Sequence, residues 1–169
     1  MNPLRNFGFL LKDISRLFSL NFERHATELS LNLTQCRVLC YIEANEGITQ
    51  VRLAYLSDTD PMTLVRILNR MEEDGLIERR DDPADRRTRC LFLRAPAFPL
   101  LEEIWRHSDC ARAETLSGLS AAERVQLVKL MQRVHANLDA LVPGAADTSG
   151  IAHRQPRKYA QMRAEAEIS

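Results

Sequence analysis

The sequence predicts a mainly α-helical fold in which three short helices lead into a two-stranded hairpin, with longer amphipathic helices before and after. Three observations predict it. Apolar residues recur at three- and four-residue spacing through most of the chain, which is the period of a helix with one buried face. Helix caps and glycine stops punctuate that pattern at short intervals. Only residues 76 to 93 depart from it, as two short β-like runs around a polar, Arg-rich loop.

In the first segment, residues 5 to about 30, Phe7, Leu10, Leu11, Ile14, Leu17, Phe18 and Phe22 form one long stripe that needs other helices to cover it. Thr34 is placed to cap a second helix through Glu43, with Val38, Leu39 and Ile42 inward and Asn45-Glu46-Gly47 as its stop. Thr49 to about Leu56 reads as a short third helix with Val51, Leu53, Ala54 and Leu56 buried, followed by the turn Ser57-Asp58-Thr59. Asp60-Pro61 opens a fourth helix, because proline suits the first helical position and an acid suits the positive end of the helix.

The fourth helix runs to Asp74 and stops at Gly75. At 100° per residue, Leu64, Ile67, Leu68 and Met71 share one face, and Met62, Thr63, Arg66, Asn69 and Arg70 share the other. That second face is available to a partner. Residues 76–80 and 89–93 then read as strands around an Arg-tipped loop. After Pro96, residues 98 to 116 are helical, with a break near Gly118. Ser120 and Glu123 make a capping box for a last helix, which Val142-Pro143-Gly144 ends. Residues 143–169 have few large apolar groups and are expected to form a mobile tail.

Composition limits what such a fold can do. A chain of 169 residues, 45% apolar, is one domain's worth of core. No apolar run approaches the ~18 residues of a membrane span, and the N-terminus does not resemble an export signal, so a cytoplasmic protein without a membrane partner is expected. Basic and acidic residues balance at 23 each, so nucleic-acid binding would need a local basic surface. Residues 79–94 supply one: six arginines against three aspartates leave a local charge of +3. Twenty of the 23 basic residues are arginine, whose planar fork suits phosphates and guanine edges.

Helix, helix, short helix, turn, helix and hairpin, in that order, describe a winged helix-turn-helix, whose second motif helix enters a major groove while the hairpin tip reaches a minor groove. The segment Met71-Glu72-Glu73-Asp74-Gly75-Leu76-Ile77-Glu78-Arg79-Arg80-Asp81-Asp82-Pro83-Ala84-Asp85-Arg86-Arg87 resembles the recurring Leu-Glu-x-x-Gly-Leu-[IV]-x-Arg turn and Asp-x-x-Asp-Arg-Arg wing of the MarR family of bacterial regulators. With the flanking helices, the resemblance covers about residues 5 to 142. It implies a mainly α protein, not an enzyme, with a winged helix-turn-helix at 34–94 and a dimerisation region made of 5–30 and 96–142. It further implies a homodimer that represses transcription from a near-palindromic double-stranded operator and is released by a small, often aromatic, effector.

Carried over position by position, the resemblance places the wing acid and the minor-groove arginine on Asp85 and Arg86, with Arg87 beside them. The reading positions fall on Met62, Thr63, Arg66 and Arg70. The residues themselves add Asn69, on the same helix face, and Arg52, suited to a phosphate. This chain departs from the family after the second strand, where Leu93-Arg94-Ala95-Pro96-Ala97 replaces the usual Leu-Thr-x-x-Gly. An effector pocket is expected between the first, second and fifth helices, with Arg16, His25 and Arg37 as polar liners.

Glu72, Glu73 and Asp74 crowd the negative end of the fourth helix and call for partners such as Arg79 or Arg80. Cys36 and Cys40 lie one turn apart but lack histidines at ligand spacing, so buried thiols are expected rather than a metal site. Phe18, Tyr41 and Trp105 suit a core or a dimer interface. No nucleotide-binding or hydrolase motif is present, and no cofactor is expected. A dimeric protein-interaction module that does not bind DNA, or a metal-dependent sensor, stand as alternatives.

Overall fold

The computed structural model describes residues 3–82 and 88–141. Asp85, Arg86, Arg87, the Val142-Pro143-Gly144 stop and the tail at 143–169 therefore lie outside the described residues. A short 3-10 turn, Pro3–Asn6, leads into α1 (Phe7–His25). Next come α2 (Leu33–Ala44), β1 (Ile48–Thr49), α3 (Gln50–Leu56) and α4 (Pro61–Glu73). The hairpin strands β2 (Ile77–Asp81) and β3 (Arg89–Leu93) precede α5 (Ala97–Thr115) and α6 (Ala121–Leu141). Helix predominates, as the apolar period predicts.

Local chemistry accounts for the boundaries, with two corrections. The α2 cap is Asn32, not Thr34: its side chain accepts from Gln35 N at 2.9 Å, and Gln35 Oε1 accepts from Asn32 N at 2.9 Å. A cap needs a partner three residues on that can close the box, and Gln35 provides it for Asn32. The first helix ends at His25, short of the 30 expected. Asp60 caps α4 as anticipated, accepting from Met62 N and Thr63 N at 3.0 Å each. Ser120 and Glu123 complete their box at α6: Glu123 accepts from Ser120 N at 2.8 Å, and Ser120 Oγ from Glu123 N at 3.3 Å.

A third strand joins the predicted hairpin. The sheet order is β1-β3-β2, all antiparallel, with Ile48 opposite Leu91 and Arg79 also opposite Leu91. Two residues are too few to show a strand period in a sequence. Gly47 makes the entry, at φ +83°, and its N–H donates to Leu91 O at 2.9 Å.

Leu39, Ile42, Leu53, Leu64, Leu68, Ile77, Leu91 and Leu101, all fully buried, form one core that joins α2, α3, α4, the sheet and α5. Phe18, Tyr41 and Trp105 pack against it, and Trp105 Nε1 donates to Glu43 Oε2 at 2.9 Å, tying α5 to α2. Val51 is a correction: expected inside, it is 83% exposed. The seven residues of α3 make barely two turns, too short for spacing alone to fix the buried face. The outer helices also leave apolar groups bare. In α1 only Phe22 is buried, and none of the described residues of α6 is. No helix is long and apolar enough to cross a membrane.

Candidate nucleic-acid interface

The buried stripe of α4 fixes what the helix presents outward. Leu64, Leu68 and Met71 point into the core, so Met62, Thr63, Arg66, Asn69 and Arg70 are all exposed, the face expected from the 100° projection. The hairpin packs beside the end of this helix through a charged junction. Arg79 of β2 pairs with Glu72, and its Nη2 donates to Asn69 Oδ1 at 2.8 Å. One of the anticipated acid–arginine pairs is thus formed. Within β2, Arg80 donates to Glu78 at 2.6 Å, and across the hairpin its guanidinium lies 4.4 Å from the centre of the Phe92 ring.

The two arginines expected to read bases are placed differently. Arg70 is held by its own helix, with Nε 3.1 Å from Asp74 and Nη1 3.9 Å from Glu73. Both acids were expected to turn toward the wing; instead they take the i+3 and i+4 positions from Arg70. Arg66 is exposed and makes no ion pair among the described residues. Arg52 is half-buried, with its guanidinium 5.6 Å from the centre of the Tyr55 ring, in a cleft also lined by Asn45, Gly47 and Thr49. Sequence reasoning missed the exposed apolar side chains beside this face, Val51 and Tyr55, which line one cleft with Gln50, Ala54 and Pro61.

The three residues expected around an effector are not all together. Arg16 and Arg37 line a groove between α1 and α2 with Lys12, over Leu11, Leu20 and Leu33. Arg37 Nη2 donates to Ser19 Oγ at 2.7 Å, and Arg16 is held by Asp13. His25 lies elsewhere, at the α1–α5 junction: its Nε2 is 2.9 Å from Glu114, which also pairs with Arg24. These donors hold the Glu114 carboxyl below its ordinary range, the His25 hydrogen bond most of all.

The thiols are placed as packing groups. Burial pushes the Cys36 thiol up to about 11 and the Cys40 thiol higher still. Among the described residues no cluster of three or more His, Cys, Asp or Glu side chains is arranged to hold a metal ion.

Residues 31–88 match the model of the MarR family. A putative transcriptional regulatory protein for the hcr operon of Thauera aromatica is 35% identical over 98 residues, which is 58% of this chain and 59% of that protein. The chain therefore spans about three-fifths of the length of this curated relative. An E. coli MarR variant crystallised with operator DNA superimposes with a TM-score of 0.64 at 25% identity, over 79% of this chain and 94% of that one. Bordetella bronchiseptica BpsR, described with the regulation of its DNA binding by 6-hydroxynicotinic acid, shares the fold at 24% identity and a TM-score of 0.65, over 80% and 96% of the two chains.

Proposed function

We propose that the chain is a MarR-family winged helix-turn-helix protein, a cytoplasmic transcriptional regulator that binds a near-palindromic operator as a homodimer; the match of residues 31–88 to the family model supports this. The observation that carries this reading is the two-sided α4: three core residues fix one face, and the opposite face offers Met62, Thr63 and Arg66 to a groove. In this reading Arg66 meets base edges, Arg52 a phosphate, and the wing residues Asp85, Arg86 and Arg87 the adjacent minor groove. Residues 34–94 are the DNA-binding region.

Dimerisation is assigned to 5–30 and 96–142. What supports it is the run of exposed apolar side chains on α1 and α6, among them Phe9, Leu10, Val128, Met131 and Leu138. Such an area is large for a surface left in water. The role is repression, relieved by a small anionic aromatic effector; the groove that offers Lys12, Arg16 and Arg37 over leucines suits a carboxylate on an apolar ring. The regulation of BpsR by 6-hydroxynicotinic acid makes aromatic acids the first class to try.

The test is selection of duplexes from a random-sequence pool by the full-length protein, followed by binding at several salt concentrations. A DNA regulator recovers a two-fold-related site and loses affinity steeply with salt as counterions are released. Recovery of no enriched sequence would overturn the reading in favour of a protein-interaction module. Adding a panel of aromatic acids to the same assay tests release.

A further inference from the structure

We propose that Val51 and Met62 read thymine methyl groups in the operator's major groove, making the site a reader of apolar as well as hydrogen-bonding pattern; this rests on the DNA-binding reading above. Val51 is 83% exposed and Met62 65%, whereas the other large aliphatic side chains described between residues 34 and 94 are buried or half-buried. The two lie at the starts of α3 and α4, and Val51 lines a cleft with Tyr55 and with Pro61, the residue next to Met62. Met62 is one turn before the exposed Arg66, on the same side of α4.

The chemistry at this end of α4 narrows what it can meet. A helix N-terminus ordinarily attracts a phosphate through its unpaired N–H groups. Here the Asp60 carboxylate already accepts from Met62 N and Thr63 N, at 3.0 Å each, and adds a negative charge of its own. A backbone phosphate is therefore repelled from the tip, while Arg52, next to Val51, and Arg66, one turn after Met62, supply the attraction that brings duplex DNA to the face. What remains for the tip is the floor of the groove. Among the groups displayed there, the C5-methyl of thymine is the apolar one, and side chains that can only make apolar contact discriminate by it.

The experiment takes a duplex recovered by selection and resynthesises it with deoxyuridine for thymidine, one position at a time. This removes a methyl and leaves every base-pair hydrogen bond in place. At the contacted thymines, affinity should fall about fourfold for each methyl lost from an apolar contact. In the double variant Val51→Ser, Met62→Gln, which removes both apolar contacts, the thymine and uracil duplexes should bind alike. Both positions are exposed, and circular dichroism verifies that the variant is folded. Equal binding of both duplexes by the unaltered protein would overturn the proposal and leave DNA binding intact. Methyl dependence that persists in the double variant would overturn its assignment to these two residues. Failure to recover any sequence from the pool would instead remove the DNA-binding reading, and this inference with it.

Discussion

Arg79 and Glu72 form an ion pair that joins the first strand of the wing to the last turn of the helix that faces outward. The Arg79 side chain is 11% exposed and that of Glu72 41%, so the pair sits at the edge of solvent with its arginine largely covered. Asn69 accepts a second hydrogen bond from the same guanidinium. The orientation of the hairpin relative to α4 is therefore fixed by polar contacts as well as by the core beneath.

Breaking this junction should loosen the wing more than it unfolds the protein. Replacing Arg79 by Met keeps the aliphatic stem and removes the charge, and should cost about 1 kcal/mol of stability, since the partly exposed Glu72 can be solvated. Denaturant unfolding measures that loss. Hydrogen exchange should show the larger effect in the amides of β2 and β3.

Arg66 and Arg70 should not be equivalent in DNA binding. Arg66→Ala should cost about 1 to 3 kcal/mol and relax the preferred base at one position. Arg70→Ala should cost less, because the guanidinium must leave Asp74 and Glu73 before it can serve DNA. Binding of both variants to an operator library decides the point; a greater loss of base preference for Arg70→Ala would refute the ranking.

The α1–α5 junction predicts an acid-sensitive component of stability. The carboxyl of Glu114 titrates below its ordinary value of 4.5 when folded, first through the His25 hydrogen bond, with Asn21 and Arg24 adding to it. A carboxylate whose value is depressed by folding stabilises above the unfolded value, and the contribution is lost as pH falls through the folded one. Glu114→Gln should therefore be less stable at neutral pH and should flatten the acid limb of a stability profile taken by chemical denaturation.

The thiols should separate by burial. Cys110 is exposed, whereas Cys36 is buried and its thiol is raised to about 11. A thiol-reactive dye at mildly alkaline pH should label Cys110 rapidly and Cys36 and Cys40 only after unfolding. Mass spectrometry of the peptides identifies the order. Fast labelling of Cys36 in the folded protein would show that the core around α2 opens more readily than its packing implies.

Assembly should depend on the bare stripe of α6. Val128→Glu places a charge among apolar side chains that stand exposed among the described residues, and should shift a dimer toward monomer in sedimentation at micromolar concentration. Because Val128 is 48% exposed in the single chain, the fold of the winged-helix region should survive the change.

Much of this molecule was legible in its residues, and the exceptions have physical reasons. The α4 faces, its Asp60-Pro61 start, the Gly75 stop, the hairpin strands and the Ser120–Glu123 box each follow from a local rule acting over a few neighbouring residues. Asn32 was missed as a cap because Asn32 and Thr34 are both good capping residues, and only the reciprocal partner at Gln35 distinguishes them. Strand β1 exists because Gly47 brings two residues to the edge of β3, a long-range contact without a period of its own. Val51 was placed inside because its chemistry suggests burial; its exposure depends on how α3 is rotated by its packing. Arg70 and Arg66 look alike in sequence, and their difference arises from which acids lie one turn away. His25 and Arg16 share a helix but not a site, since the groove runs along α1 from Gly8 to Leu20 and the junction lies beyond it, at the helix end.

Only Arg94, Ala95 and Pro96 lie between the wing and α5, and Arg94 N donates to Leu76 O at 2.9 Å, so the connection is a taut strap rather than a tether. At its middle, α5 is bolted to α2 through Trp105 and Glu43. A helix anchored in this way is placed to act as a crank, with only three residues of connection through which a tilt of α5 would reach the hairpin. Lengthening the strap by two glycines would uncouple the crank from the hairpin while leaving the core contacts of both in place.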